Sequence, residues 1–385
     1  NVKDIKIGNL VATPMKINHN GKPQFIDLIN LMDENKTFAL LNVNLDLNLE
    51  IFRKFNGYER DIVKILFDSS KASRMELLNK IKISKSRLTK IISELIEDSV
   101  ILRDARGIYS LKLRFWKPKK YEWISFGDLK YLKNKYNLDQ VDDYVDKIKV
   151  IKSNKKSLAI KPVWQTSPEL YRILAYLYSE GLTKFGISNK DSNLLNDFFN
   201  CMEKVFGVQR DCFKNRKIDY YIDNSATLDM FFDKAFNYKS KIKNKSFKIE
   251  LPEILFNSSV QEIKNFLRAY FEAEGSVDVK NHEVELTSAS NKLIKQMATL
   301  LLIFGVVARV KPKPSFAKNS AAPKPKIYYR LRISGAENLK NFDEIGFLFK
   351  KKNAKLDLII NKKANPNIGV LPAGRILHSI CKIIK

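Results

Sequence analysis

The clearest hydrophobic periodicity lies just after Ser84. Leu88, Ile91, Ile92, Leu95 and Ile96 recur at helical spacing and define one inward face, while Lys85, Ser86, Arg87 and Lys90 occupy the other. Upstream, Ile62, Ile65 and Leu66 predict a helix from Tyr58, and Ser73-Arg74-Met75-Glu76 predicts a second helix opened by a capping box. Downstream, Val100–Arg103 and Ile108–Leu111 flank Asp104-Ala105-Arg106-Gly107, which reads as a two-stranded hairpin with basic residues near its tip. The residues up to about Phe55 read as short strands, and Asn18-His19-Asn20-Gly21 contains the Asn-Gly pair that favours a tight hairpin turn. From Tyr121 to about Ile151 the pattern reads as helical, with Trp123, Ile124, Phe126, Leu129, Tyr131 and Leu132 as apolar surface. Ser153-Asn154-Lys155-Lys156-Ser157 reads as a linker.

Beyond that linker the sequence repeats itself. Residues 173 to 181 are Ile-Leu-Ala-Tyr-Leu-Tyr-Ser-Glu-Gly and residues 267 to 275 are Leu-Arg-Ala-Tyr-Phe-Glu-Ala-Glu-Gly, two apolar helices that end in Glu-Gly with alanine, Ala175 or Ala269, at the third position. A predicted strand follows each. A polar helix start comes next, at Ser188-Asn189-Lys190-Asp191-Ser192 and Thr287-Ser288-Ala289-Ser290-Asn291, and these helices close at Phe206-Gly207-Val208 and Phe304-Gly305-Val306. A unit of about 94 residues has therefore been duplicated. Small residues let helices approach closely, so Ala175 and Ala269 predict packing of the two motif helices that brings Glu180 and Glu274 together. Two carboxylates held close repel, and a divalent cation relieves the repulsion.

Charge adds a partner class. Against 42 acidic residues stand 69 lysines and arginines, a net charge of +27 over 385 residues, and the pI near 9.7 is the electrostatic footprint of a protein that binds a polyanion, most often nucleic acid. A lysine-rich proteome gives the same value without such a partner. The hydrophobic fraction of 44% argues for a folded chain. Cys201, Cys212 and Cys381, with three histidines, make neither a disulfide framework nor a zinc spacing; Cys201, Met202 and Cys212 read as core or neutral surface. No apolar run reaches membrane-spanning length and no signal-peptide layout opens the sequence, so the expectation is an intracellular, cytoplasmic, nucleoid-associated protein with no membrane partner.

Three helices and a basic hairpin resemble a winged helix-turn-helix. That resemblance makes the Ser84 helix the recognition helix, with Lys85, Ser86, Arg87 and Lys90 directed at a major groove and Arg103 and Arg106 of the wing at phosphate. The alternative is a protein-docking winged helix whose lysines are only solvated. The two Glu-Gly motifs resemble those of single-chain LAGLIDADG homing endonucleases. Tyr329-Arg330-Leu331-Arg332-Ile333-Ser334-Gly335-Ala336-Glu337-Asn338-Leu339, with Phe342 and Ile345-Gly346-Phe347, is similar to the strand-to-helix ending of that family. The resemblance covers about Ser167 to Asn361.

It implies that Glu180 and Glu274 are both catalytic residues and ligands of magnesium or manganese, cutting both strands across the minor groove while the sheets of each repeat lie in flanking major grooves. Many members carry a lysine near the scissile phosphate late in a repeat. Asp223-Asn224-Ser225-Ala226 and Ser334-Gly335-Ala336-Glu337 have none, which leaves Lys184 or Lys280 as the source of that charge. Further DNA contacts are expected from Lys311, Lys313, Lys324 and Lys326 in a proline-stiffened basic connection, and from Arg330 and Arg332. The run Lys239, Lys241, Lys243, Lys245, Lys248 reads either as a strand edge against DNA or as a solvated edge.

The expected fold class is α/β (α+β), a winged helix-turn-helix followed by a pseudo-two-fold LAGLIDADG αββαββα repeat pair. The expected division is a mixed β segment (1–57), the winged helix-turn-helix (58–118), a helical linker (119–165), repeat 1 (166–255), repeat 2 (256–362) and a C-terminal helical tail (363–385). The expected function is site-specific double-stranded DNA binding with metal-dependent endonuclease chemistry. Alternatives are a non-catalytic regulator or origin-binding initiator on the same scaffold, akin to sporulation regulators or archaeal origin binders, and an RNA maturase. Pseudo-symmetry within one chain predicts a monomer that needs no protein partner.

Overall fold

The computed structural model describes residues 15–32, 39–44, 55, 57–98, 100–111, 121–127, 129–130, 134, 145–150, 158–239, 245–315 and 326–360. The chain is a mixture of helices and small antiparallel sheets and divides into two compact units. One comprises Asn1–Ile26, Gln165–Ser225 and Phe231–Lys385; the other comprises Asp27–Trp164 and Ala226–Met230. Among the described residues no helix is long and apolar enough to cross a membrane.

In the second of these units, helices Gly57–Ser69, Arg74–Ile81 and Lys85–Glu97 precede strands Ile101–Arg103 and Ile108–Leu111. The Arg74 helix opens on the capping box: the Ser73 amide donates to Glu76 Oε2 at 2.6 Å and the Glu76 amide to Ser73 Oγ at 3.3 Å, satisfying two of the orphan amides of a helix start. The Lys85 helix buries Leu88, Ile92 and Leu95, whereas Ile96, expected inward, is 37% exposed and lies at the edge of the buried face. Ile108–Leu111 pairs with Ile101–Arg103 on one side and with Ala72–Ser73 on the other. Asp104 Oδ1 accepts the amides of Arg106 and Ile108, both at 2.9 Å, and Gly107 takes φ +74° to close the turn.

The expected helical linker over 119–165 is corrected by a second sheet. Ala39–Asn44 lies between Tyr121–Ser125 and Val145–Val150, antiparallel to both. Val145, Ile148 and Val150 are buried while Asp146 and Lys147 are exposed, and β-branched and aromatic residues suit a pleated surface once a central strand is there to pair with. Tyr131, Leu132 and residues 153–157 lie outside the described residues, as does the expected tail at 363–385.

In the other unit, helices Pro168–Glu180 and Val260–Glu274 pack side by side, with Ala175 and Ala269 fully buried. Ser167 caps the first, its Oγ accepting the Leu170 amide at 3.2 Å, and Ser259 and Glu262 form a capping box on the second. After the first come strand Gly186–Ser188, helix Ser192–Phe206, strands Lys214–Arg216 and Asp219–Tyr221 and helix Ala226–Phe236, of which only the part from Phe231 belongs to this unit. After the second come strands Ser276–Asp278 and Glu283–Ser288, helix Asn291–Ile303, strands Arg309–Ser315 and Lys326–Ser334 and helix Ala336–Ile345. The first set gives a three-stranded sheet with Asp219–Tyr221 central; the second gives four strands ordered 276–278, 283–288, 326–334, 309–315.

The expected Asn20-Gly21 hairpin is not formed, since residues 17–24 carry no regular strand. Gly21 instead lies against another backbone: a Cβ there would stand 2.1 Å from the Ser258 carbonyl oxygen, and the Lys22 amide donates to Asn257 O at 3.2 Å. The glycine serves a close approach rather than a turn.

Candidate active site at the paired helix ends

Both motif helices end on glutamate followed by glycine, and the reason for glycine is steric. Gly181 and Gly275 have φ of −68° and −79°, so neither is the left-handed glycine of a helix C-cap. A Cβ on Gly181 would lie 2.2 Å from Leu177 O, 2.3 Å from the Tyr238 hydroxyl and 2.9 Å from Lys245 Nζ; on Gly275 it would lie 2.6 Å from Phe271 O.

The space beside Gly181 is taken by Tyr238 and Lys245 and that beside Gly275 by Phe271, and a lysine binds each helix end. Lys245 donates to Leu177 O at 3.1 Å, Gly181 O at 3.2 Å and the Tyr238 hydroxyl at 2.6 Å. Lys352 donates to Phe271 O at 3.3 Å, to Gly275 O at 2.7 Å and to Glu272 O. A cation at a helix C-terminus meets the negative end of the dipole and orphan carbonyls at once. Burial nevertheless pushes Lys245 down to about 8 and lowers Lys352, whose ammonium is supported by Glu272, Glu274 and Asp191.

Glu180 and Glu274 meet electrostatically at these ends. Burial raises Glu180, with a hydrogen bond from Asn189 Nδ2 to Oε1 at 2.9 Å and the Lys352 charge acting the other way. Glu274 is pushed up to about 7, first by desolvation and then by Glu180, against Lys352. Its side chain is solvent-exposed, so solvent screens part of that cost. Beneath them the buried Tyr270 hydroxyl is raised, by burial first and then by both glutamates. The pair offers carboxylate oxygens to a hard cation, the donor chemistry that magnesium takes. Among the described residues there is no group of three or more His, Cys, Asp or Glu that could hold a metal ion.

The remaining predicted residues divide by unit. Lys85, Ser86, Arg87 and Lys90 are exposed along the start of their helix, with the Arg87 guanidinium 4.8 Å from the Tyr58 ring centroid, and Arg103 and Arg106 are exposed at the 104–107 turn. In the other unit, Lys184 pairs with Asp223 at 3.1 Å and lies 4.3 Å over the Tyr221 ring. Lys280 sits in the turn between strands 276–278 and 283–288. Neither is at the helix ends, where Lys245 and Lys352 stand instead.

Lys311 and Lys326 are exposed and Lys313 is half-buried on the two long strands; Lys324 lies outside the described residues, as do Lys241 and Lys243. Lys245–Lys248 is a helical turn, so Lys245 and Lys248 do not lie on a strand edge. Arg330 and Arg332 are engaged by acids, Arg330 Nη1 with Glu285 at 2.7 Å and Arg332 Nε with Glu285 at 3.1 Å and Glu283 at 3.5 Å. Cys201 is buried and Cys212 exposed, both free thiols.

Sequence reasoning missed Lys245, Lys352 and Asn189. The lysines lie 64 and 77 residues past the glycines they bind; Lys245 stood in the alternating-lysine run with another role, Lys352 in a stretch no motif marks, and Asn189 inside the quoted helix start without a role.

Parts of the chain are similar to archaeal proteins of diverse names. The replication factor C small subunit of Methanocaldococcus jannaschii is 31% identical over 212 residues, 53% of this chain and 11% of that protein. The probable translation initiation factor IF-2 of the same organism is 32% identical over 179 residues, 46% of this chain and 15% of that protein. Its isomerizing glutamine–fructose-6-phosphate aminotransferase is 25% identical over 212 residues, 52% of this chain and 18% of that protein. The chain thus spans less than a fifth of each of these relatives. Residues 261–346, which hold nearly all of the second motif helix, its four-stranded sheet and the Ala336 helix, match the family described as a LAGLIDADG-like domain.

Proposed function

We propose that the protein binds a specific double-stranded DNA site and cuts it as a LAGLIDADG homing endonuclease does, with Glu180 and Glu274 as the catalytic pair. The observation that carries this reading is the meeting of the two glutamates at the ends of two closely packed helices. The match of 261–346 to the LAGLIDADG-like family supports it. A strand, a helix, two strands and a helix follow the first motif helix, and the second is followed by the same series with one further strand before its first helix. This departs from the expected αββαββα order in the first half but still supports reading 166–255 and 256–362 as a pseudo-two-fold pair, each half lending one acid. Bound magnesium or manganese would stabilise the charge that develops on a displaced phosphodiester. The chain's own residues prepare that site: the lysines fix the helix ends, Asn189 orients Glu180, and Lys352 adds positive charge beside both acids.

The three helices and the sheet built on Ile108–Leu111 support a winged helix-turn-helix over 58–118, adding contacts outside the cut site through Arg87, Lys90, Arg103 and Arg106. The relatives named as a replication factor, a translation initiation factor and an aminotransferase have no task in common, which supports a self-contained module rather than a part of any of those activities. Both acids come from one chain, which supports a monomer.

The test is cleavage of DNA spanning the protein's own coding sequence and flanks with magnesium, manganese or chelator, beside Glu274→Gln. A discrete metal-dependent double-strand cut, lost in the variant while binding persists, is expected. Tight binding without any cut, indifferent to metal and to the variant, would replace the nuclease with a non-catalytic DNA-binding protein on the same scaffold.

A further inference from the structure

Two acidic side chains stand on the face where the four-stranded sheet would meet DNA, and acids there repel phosphate. On strand Lys326–Ser334, Leu331 and Ile333 are fully buried, so Arg330 and Arg332 point to the opposite face. The register places Glu285, Arg332 and Arg309 in one row across three strands, and Thr287, Arg330 and Lys311 in the next. Glu283 and Glu285 are 8% and 18% exposed, against 23% and 39% for Arg330 and Arg332. The acids thus lie lower in the sheet than the guanidinium groups they bind. Burial works against the charge on Glu285, but Arg330 holds it below the ordinary carboxylate range, while burial and the contact with Glu285 raise Glu283.

We propose that Glu285, backed by Glu283, is a positioning residue that sets Arg330 and Arg332 to read base edges, with guanine-bearing pairs as the preferred partners. The inference rests on the DNA-binding reading above. Arg332 Nε stands 3.1 Å from Glu285 as an ion pair; a guanidinium engaged at Nε keeps its two terminal nitrogens as an end-on fork, the geometry that matches the O6 and N7 acceptors of guanine in the major groove. Arg330 is held through Nη1, leaving the Nε and Nη2 edge. An unbound arginine would lose rotamer freedom on contact; the carboxylate has already removed it. Two residues along a strand span roughly 7 Å, the height of about two base-pair steps, so two neighbouring positions of one half-site are read.

The experiment is selection from a randomised duplex pool with the full chain, followed by titration of the selected site and an unrelated duplex, for wild type, Glu285→Gln and Arg332→Lys. The expected wild-type site has two guanine-bearing positions. Glu285→Gln loses about tenfold of the base preference at both, while its binding to the unrelated duplex is unchanged or tighter because a negative charge is gone. Arg332→Lys keeps the charge but not the fork, and loses preference at one position with the salt dependence preserved.

Tighter binding of every duplex by Glu285→Gln with base preference intact would overturn the proposal and leave the acids as charge neutralisers. Thermal melting identifies a variant that fails to fold; if Glu285→Gln does, Arg332→Lys decides, and an unchanged preference in it overturns the proposal. Absence of binding to any duplex by wild type is a different failure, that of the DNA-binding reading itself, and the positioning role falls with it.

Discussion

Replacing Gly181 with alanine tests whether the lysine-bound helix end is a single unit. The added methyl falls 2.2 Å from Leu177 O, a helical backbone atom that cannot move, and 2.3 Å and 2.9 Å from the Tyr238 hydroxyl and Lys245 Nζ. The residue after Glu180 must therefore lift and the lysine must retreat. At least two of its three bonds are lost while the ammonium stays half-buried. Hydrogen bonds to charged groups contribute about 1.5–3 kcal/mol each, so the loss of two makes Gly181→Ala cost about 3–6 kcal/mol.

Lys245→Met removes the cation together with its desolvation and keeps most of the apolar stem, leaving acceptors that water partly reaches; about 1–2 kcal/mol is expected. In the double variant the methyl no longer meets a cation, so its cost should fall short of the sum of the singles by at least about 1 kcal/mol. Urea unfolding of the four proteins measures all three terms. A second signature is the pH dependence of the wild type against Lys245→Met. The folded value of about 8 lies below the ordinary lysine value of roughly 10.4, so the cost of the cation is full below pH 8 and is relieved as pH rises from there. A Gly181→Ala variant within about 1 kcal/mol of wild type, or strict additivity, would refute the reasoning.

Glu274, pushed up to about 7, binds its proton more tightly folded than unfolded, so wild-type stability falls as pH rises from the ordinary carboxylate value to 7. Glu274→Gln should be the more stable protein above pH 7, by about 1 kcal/mol after allowance for the exposed side chain, and equal to wild type near pH 4; thermal melting across that range checks it, and a variant less stable at pH 8 would contradict it. Replacing Lys311 and Lys313 with alanine should weaken binding to all duplexes alike and reduce the slope of log affinity against log salt by about 2. A fluorescence anisotropy series over salt reads this, and an unchanged slope would remove these lysines from the DNA surface.

What the sequence makes legible is local or repeated. The capping box at Ser73, the helix at Ser84 and the two Glu-Gly helix ends all follow from spacing of a few residues, and duplication marks the pair of acids twice. What stays hidden depends on distant partners. Val145–Val150 has the composition of a strand, yet only the central strand Ala39–Asn44, some hundred residues earlier, decides that it pairs rather than coils. Lys245 and Lys352 look like any surface lysine until the carbonyls they bind are known. Glycine in Glu-Gly points to a backbone requirement, and φ shows that the requirement is space. Arg330 and Arg332 are visible as charge; that Glu285 engages both follows from cross-strand register alone.

The distance along the chain between each motif helix and its lysine has a consequence for synthesis. Lys245 leaves the ribosome before Ser259, where the second motif helix begins, so the first helix can be closed at its C-terminus while the helix it packs against has not yet been made. Its apolar face, centred on Leu174, Ala175 and Tyr178, must then wait for Val260–Glu274. The second helix emerges to a partner already finished at its end, and stays open at its own until Lys352 arrives. The two glutamates are thus brought face to face by a chain that completes one helix end well before the other.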